Sequence, residues 1–176
     1  IWYWSETLKR ETFVRTQVNF VEDLCFAPVR GKLHSLLSSK TADMKKLEFL
    51  YPELTAEYSS SVVLDVYDIR EILCEKVRSI LTRRSVKTRD FVDAYIIFKE
   101  KGVDLGGLKE ETIRKTLLML RMYKRFRRNF SEKMRLLKSS ELFSWGWEKE
   151  LLLTTINEKD FYTFVGSLNG LSLIHI

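Results

Sequence analysis

A charge stands in this chain where a helix should be apolar. Ile69, Ile72, Leu73, Val77, Ile80 and Leu81 recur at helical spacing and form a single apolar stripe. Lys76 falls inside that stripe, one turn after Leu73 and one turn before Ile80. The next segment, Val86 to Lys101, is apolar on most sides yet carries Asp90 and Asp93 one turn apart on a shared face. A short break at 82–85 predicts that the two helices fold back antiparallel. Counting outward from residue 84 then brings Lys76 level with position 92, between the two aspartates. The pattern therefore predicts a lysine and two aspartates meeting at a helix hairpin. Two readings follow. Such a trio is either a structural bridge, whose Coulombic gain is offset by the desolvation of its charges, or a functional site, where perturbed charges cluster. Spacing alone does not choose between them.

The residue types around this hairpin do favour one of the two. The run Glu71-Ile72-Leu73-Cys74-Glu75-Lys76-Val77-Arg78-Ser79-Ile80-Leu81-Thr82-Arg83, followed by Lys87-Thr88-Arg89-Asp90-Phe91-Val92-Asp93-Ala94-Tyr95, resembles the third and fourth motifs of the AbiEii/AbiGii nucleotidyltransferase toxin family. That pattern is a helix of the type E-I-L-A-E-K-L-x-A-L, a run ending in Arg, then R-D-x-x-D; Cys74 stands where the pattern has Ala. The resemblance implies phosphoryl transfer, in which a nucleotide moves from an NTP to an acceptor hydroxyl and magnesium neutralises the phosphates. It implies that Lys76 binds the triphosphate as a compact cation. Asp90 and Asp93 would orient or deprotonate the acceptor, or tether Lys76. Arg83, Lys87 and Arg89 are the expected phosphate-binding residues, with a pairing of Arg89 to Glu71 or Glu75 as its favoured alternative role. The resemblance also implies a cognate antitoxin protein as partner and an RNA acceptor, tRNA included.

Two further motifs of that family are missing. They are a Gly-Gly/Ser-Thr-x-Leu-Arg turn and an Asp-x-Asp strand that holds magnesium. The nearest approach, Asp65-Val66-Tyr67-Asp68, has two residues between its acids, which puts their side chains on opposite faces of a strand. If Thr12–Phe20 is the later strand that carries a third acid in related transferases, its polar face offers only Gln17 and Asn19. The expectation is therefore a fragment that begins after the metal-binding half, is inactive by itself, and holds no metal; Mg2+ and NTP belong to the intact protein.

Charge patterning adds a second candidate surface. The 176-residue chain has a net charge of +6. Arg121, Lys124, Arg125, Arg127 and Arg128 interleave with Met122, Tyr123 and Phe126, and Arg83, Arg84, Lys87 and Arg89 cluster at the hairpin turn. Cations beside aromatics suit phosphate contacts and base stacking; a solvated helix face with Tyr123 and Phe126 turned inward is the plainer account. A non-catalytic helical module that binds nucleic acid or a protein partner is thus the alternative function. Cys25 and Cys74 lie far apart with no ligand spacing, and His34 and His175 share no ligand pattern, so a reducing, cytoplasmic setting without zinc is expected. No apolar run approaches the roughly 20 residues that span a bilayer, so no membrane association is expected.

Along the chain, Thr12 to Phe20 alternates as a half-buried strand, and Ile1–Leu8 supplies another strand segment. Pro28 and Gly31 mark a turn. Lys32–Leu37 and Thr41–Leu50 read as short helices, and Pro52 to Ser61 as a connection ending in a serine loop. Ser61–Tyr67 is a β-branched strand. Thr112 to Leu137 reads as one long helix with Glu110 and Glu111 at its start. Glu148–Ile156 and Asp160–Val165 read as two last helices. The fold class is α+β: residues 1–67 as a partial nucleotidyltransferase-like sheet portion, 68–170 as a mainly helical lobe, and 171–176 as a tail that resembles translated sequencing adapter and is expected to be non-native.

Overall fold

The computed structural model describes residues 1–16, 18, 21–33, 44–59, 61–139, 141–152 and 155–170. Elements follow in the order β1 (Trp2–Ser5), β2 (Arg10–Phe13), β3 (Val29–Leu33), α1 (Met44–Leu50), α2 (Pro52–Ser59), β4 (Val62–Val66), α3 (Ile69–Thr82), α4 (Thr88–Lys101), α5 (Lys109–Met122), α6 (Lys124–Lys138) and α7 (Glu158–Gly170), with 3-10 turns at Gly106–Leu108 and Trp147–Leu151. The architecture is α+β, as the sequence pattern predicts.

Both sheets are two-stranded and antiparallel. In the first, Trp2 lies opposite Phe13 and their rings meet at 5.0 Å. The second pairs Val29 with Val66 and Leu33 with Val62. Here the expected turn at Pro28–Gly31 is wrong, because Gly31 lies inside β3. A Cβ on Gly31 would meet Cγ2 of Val66 at 2.5 Å, so glycine is what lets β4 come this close. Residues 32 and 33 of the expected helix Lys32–Leu37 also belong to β3, and the remainder lies outside the described residues. The predicted strand Thr12–Phe20 shrinks to Arg10–Phe13, Val14 to Thr16 being irregular, while Gln17, Asn19 and Phe20 are outside the described residues. The Pro52 segment is helical, not a connection: proline starts α2, where its missing N–H costs nothing, with Glu53 in the same turn.

α3 is the centre of the helical body, packed on α4, α5 and α6. Asp68 caps it by accepting the backbone N–H of Arg70 at 2.9 Å. Its inner face buries Leu73, Cys74, Val77, Ile80 and Leu81. α4 ends at Gly102, which takes the left-handed conformation (φ 62°) that closes helices at low cost. Beyond it, Phe91, Tyr95, Phe143, Trp145, Phe161 and Phe164 form a connected ring cluster, with Trp145 and Phe161 at 4.8 Å and Phe91 and Phe143 also at 4.8 Å.

The single helix expected over Thr112–Leu137 is broken at Tyr123, whose backbone is extended (φ −129°, ψ 110°). Arg127 offsets the loss of helical hydrogen bonds by donating to the carbonyls of Leu120 (2.6 Å) and Arg121 (3.2 Å) at the end of α5. The expected helix at Glu148–Ile156 is instead a short 3-10 turn, and the last helix runs from Glu158, two residues earlier than its apolar pattern suggests. Residues 171–176 lie outside the described residues.

Candidate functional site

The hairpin brings its three charges together. Lys76 Nζ lies 2.5 Å from Oδ2 of Asp93 and 3.5 Å from Oδ1 of Asp90. The other oxygen of Asp90 accepts from Nη1 of Arg83 at 2.6 Å. Asp90 is buried, its side chain 4% exposed, whereas Lys76 is 27% and Asp93 46% exposed. The local cause is the one the spacing gave: α3 and α4 are adjacent antiparallel partners joined at Arg83–Lys87, so positions one turn apart on α4 flank one position on α3.

Lys76, Asp90 and Arg83 line a cleft of about 760 Å³ whose walls include Glu22, Tyr67, Glu75, Arg78, Ser79, Met119, Tyr123, Arg125 and Phe126. The lining combines the cations Lys76, Arg78, Arg83 and Arg125 with the aromatic rings of Tyr67, Tyr123 and Phe126, the last two with centroids 5.3 Å apart. Asp93 faces the other way. It shares a separate recess of about 390 Å³ with Lys87, Arg89, Val92 and Glu148. The six predicted residues thus divide between two recesses, and the Lys76–Asp93 pair links them. Arg89 forms no ion pair among the described residues. Its expected pairing with Glu71 or Glu75 is incorrect, because both glutamates are engaged elsewhere.

Glu75 is held by Arg78 at 2.5 Å, and Glu71 by a buried lysine that sequence reasoning missed. Lys115, 3% exposed on α5, lies 2.5 Å from Glu71, 2.9 Å from Glu22 and 3.8 Å from Glu75. Burial pushes the ammonium's pKa down, but hydrogen bonds to Glu71 and Glu22 more than reverse this and the net displacement is upward. Glu71 also accepts the backbone N–H groups of Cys25 (2.9 Å) and Phe26 (3.0 Å), and Arg114 grips Asp23. Together these contacts strap segment 21–26 against α3 and α5 and so form one wall of the cleft. A signal was present: Glu71 stands one turn before Cys74 on the buried side of α3, and Lys115 lies between Thr112 and Thr116 on the buried side of α5.

Residues 7–160 match the model of the nucleotidyl transferase AbiEii toxin family, a type IV toxin–antitoxin system. The chain belongs to that family. No curated protein and no solved structure matches it. The AbiEii assignment covers β2 through the start of α7 and therefore both recesses. It identifies the protein as a nucleotidyltransferase-family toxin, with an antitoxin as the partner implied by the type of system.

The described donors do not by themselves form a metal site. Among the described residues no group of three His, Cys, Asp or Glu side chains could hold a metal ion, and Glu22, Glu71 and Glu75 converge on the Lys115 ammonium instead. Asp65 pairs with Arg30 on the β3–β4 ribbon, and Asp68 is spent on the start of α3 and on Arg70. No helix among the described residues is long and apolar enough to cross a membrane.

Proposed function

We propose that the cleft between α3, α4 and the α5–α6 junction receives the phosphates of an NTP, whose nucleotide is transferred to a hydroxyl of an RNA acceptor as the bond between its α- and β-phosphates breaks and pyrophosphate and the hydroxyl proton leave. The observation that carries this reading is Lys76, a partly exposed ammonium held between two carboxylates in the lining of a cleft that also includes Arg78, Arg83 and Arg125. A phosphate entering the cleft exchanges one carboxylate partner of Lys76 for its own oxygens, so the lysine stays compensated throughout. Tyr67, Tyr123 and Phe126 offer apolar faces for the base.

The two aspartates then take different roles. Asp90 is buried with one oxygen on Arg83 and the other toward Lys76. It fixes the position of both cations and has little capacity left for a proton from the acceptor. Asp93, half exposed, is the carboxylate free to swing away from Lys76 when phosphate arrives. Arg83 is assigned first to Asp90 and second to phosphate. Lys87 and Arg89 face the second recess, and for them phosphate contact from that side is the proposed role.

The test is incubation of the full-length protein with each labelled NTP and total RNA, wild type against Lys76→Met. Label transferred by the wild type and lost in the variant, with folding retained, is the expected result. Absence of label on any RNA with every NTP would sink the proposal.

A further inference from the structure

The basic run at the start of α6 is not absorbed by the cleft. Arg127 is committed to the end of α5, and Arg125 packs its guanidinium 5.5 Å from the Tyr123 ring and 5.0 Å from the Phe126 ring at the cleft wall. The side chains of Lys124, Arg128 and Arg135 are exposed and form no ion pair or hydrogen bond among the described residues. Positions 124, 128, 131 and 135 recur at helical spacing, so these three cations and Ser131 share one face of α6. At 1.5 Å per residue that stripe extends about 16 Å along α6 from its first turn, whose other side borders the cleft. Glu132 is the only exposed carboxylate within α6 among its described side chains. Buried Asn129 donates to the Thr82 carbonyl at 2.9 Å and anchors the helix onto α3, so the stripe is held rigidly relative to Lys76.

We infer that this face of α6 is the docking track for a single-stranded RNA segment whose end enters the cleft. The inference rests on the nucleotidyltransferase reading of the cleft, and it adds which element binds the acceptor and in what form. A polyanion suits this face, because its three exposed cations can exchange small counterions for phosphates. RNA fits better than an acidic peptide because the first turn of α6, where the track starts, also carries Tyr123, Arg125 and Phe126 on its cleft side, rings on which bases stack and for which a run of carboxylates has no use. A single strand is required because a duplex presents its bases to each other and not to an aromatic wall.

The experiment is fluorescence anisotropy of an end-labelled single-stranded RNA of mixed sequence, titrated with the chain at several salt concentrations. Wild type is compared with the Lys124→Ala/Arg128→Ala/Arg135→Ala variant. The three residues are exposed, so circular dichroism of the variant should match wild type. Each phosphate contact on a single strand contributes about −0.7 to the slope of log affinity against log salt, so the variant's slope should be shallower by about 2. Its affinity for labelled NTP should be unchanged, whereas Lys76→Met should lose NTP and keep RNA. Wild-type chain that fails to bind the RNA, or a variant that binds it with unchanged slope, overturns the inference. So does displacement of the RNA by poly-glutamate of equal charge as effectively as by unlabelled RNA, which would make the face a site for an acidic protein. RNA binding along α6 in a chain that binds no NTP would leave this inference standing and remove the reading of the cleft.

Discussion

Lys115 and Glu71 form an ion pair at 2.5 Å, with side chains 3% and 1% exposed, in the interface between α3 and α5. Each would be costly without the other. Glu71 further holds two backbone N–H groups of segment 21–26, and Lys115 reaches Glu22 on the same segment. One buried pair therefore fixes the distance between a cleft wall and the helix that carries Lys76. Removing the cation alone strands buried carboxylates, and losses of about 3–5 kcal/mol follow such truncations. Lys115→Met should lower the urea midpoint by a corresponding amount, and Glu71→Gln in the same chain should restore part of it, because the glutamine oxygen still accepts from Cys25 and Phe26. Equal midpoints for wild type and Lys115→Met would refute the pairing.

Lys76→Met should behave differently. Its ammonium is partly exposed and meets one half-exposed carboxylate and one that keeps its bond to Arg83. The expected stability change is within about 1–2 kcal/mol, while transferase activity of the full-length protein disappears. Unfolding curves and label transfer measured on the same preparations separate the two lysines. A large stability loss with activity per folded molecule retained would make Lys76 a structural bridge.

The contrast between these lysines also marks what was legible in the chain. Lys76, Asp90 and Asp93 lie within one helix hairpin, so helical period and a short turn suffice to compute their meeting. Lys115 and Glu71 are brought together by α3–α5 packing, which no local period encodes, although each carried the same sign as Lys76, a charge on a buried stripe. The pairing of β3 with β4 joins segments separated by two helices, and Gly31 inside β3 looks locally like a turn residue. Tyr123 was hidden for another reason: the apolar positions of α5 and α6 stay in phase across it, and the break depends on Arg127 folding back onto the carbonyls of Leu120 and Arg121.

Asp68 gives the start of α3 a pH dependence. Hydrogen bonds from the side chain and backbone N–H of Arg70 hold its carboxyl at about 2, below the ordinary aspartate value near 4. The folded state thus favours the charged form. Its contribution is complete above the ordinary value and is lost as pH falls through about 2. Urea unfolding measured between about pH 5 and pH 2 should show a slope that Asp68→Asn makes shallower, with Asp68→Ala costing about 1 kcal/mol at neutral pH. An unchanged slope in Asp68→Asn would contradict this account.

The two thiols should be inert in the folded chain. Burial pushes the Cys74 thiol up to about 11, and burial followed by the nearby Glu71 charge raises that of Cys25. Thiolate is the reactive species, so little is present at neutral pH. Iodoacetamide at neutral pH should modify neither residue on a timescale that labels both in urea, as mass spectrometry would read directly. Rapid modification of Cys74 in the native chain would show that the packing of α3 against its neighbours opens readily.

Gly31 tests whether the β3–β4 ribbon is set by close approach or by turn propensity. A methyl group there would lie 2.5 Å from Cγ2 and 3.1 Å from Cγ1 of Val66, both on the facing strand. Those atoms belong to a β-branched side chain with few alternative rotamers, so the strands must separate or Val66 must leave its well. Overpacking of this kind costs about 1–3 kcal/mol. Gly31→Ala should therefore weaken amide protection across the register from Val29–Val66 to Leu33–Val62 while leaving α3 and α4 protected. Val66→Ala in the same chain frees the space and should recover the protection. If Gly31→Ala is silent in hydrogen exchange, the close contact does not set the register. If the loss persists in the double variant, its origin is glycine's backbone and not Val66.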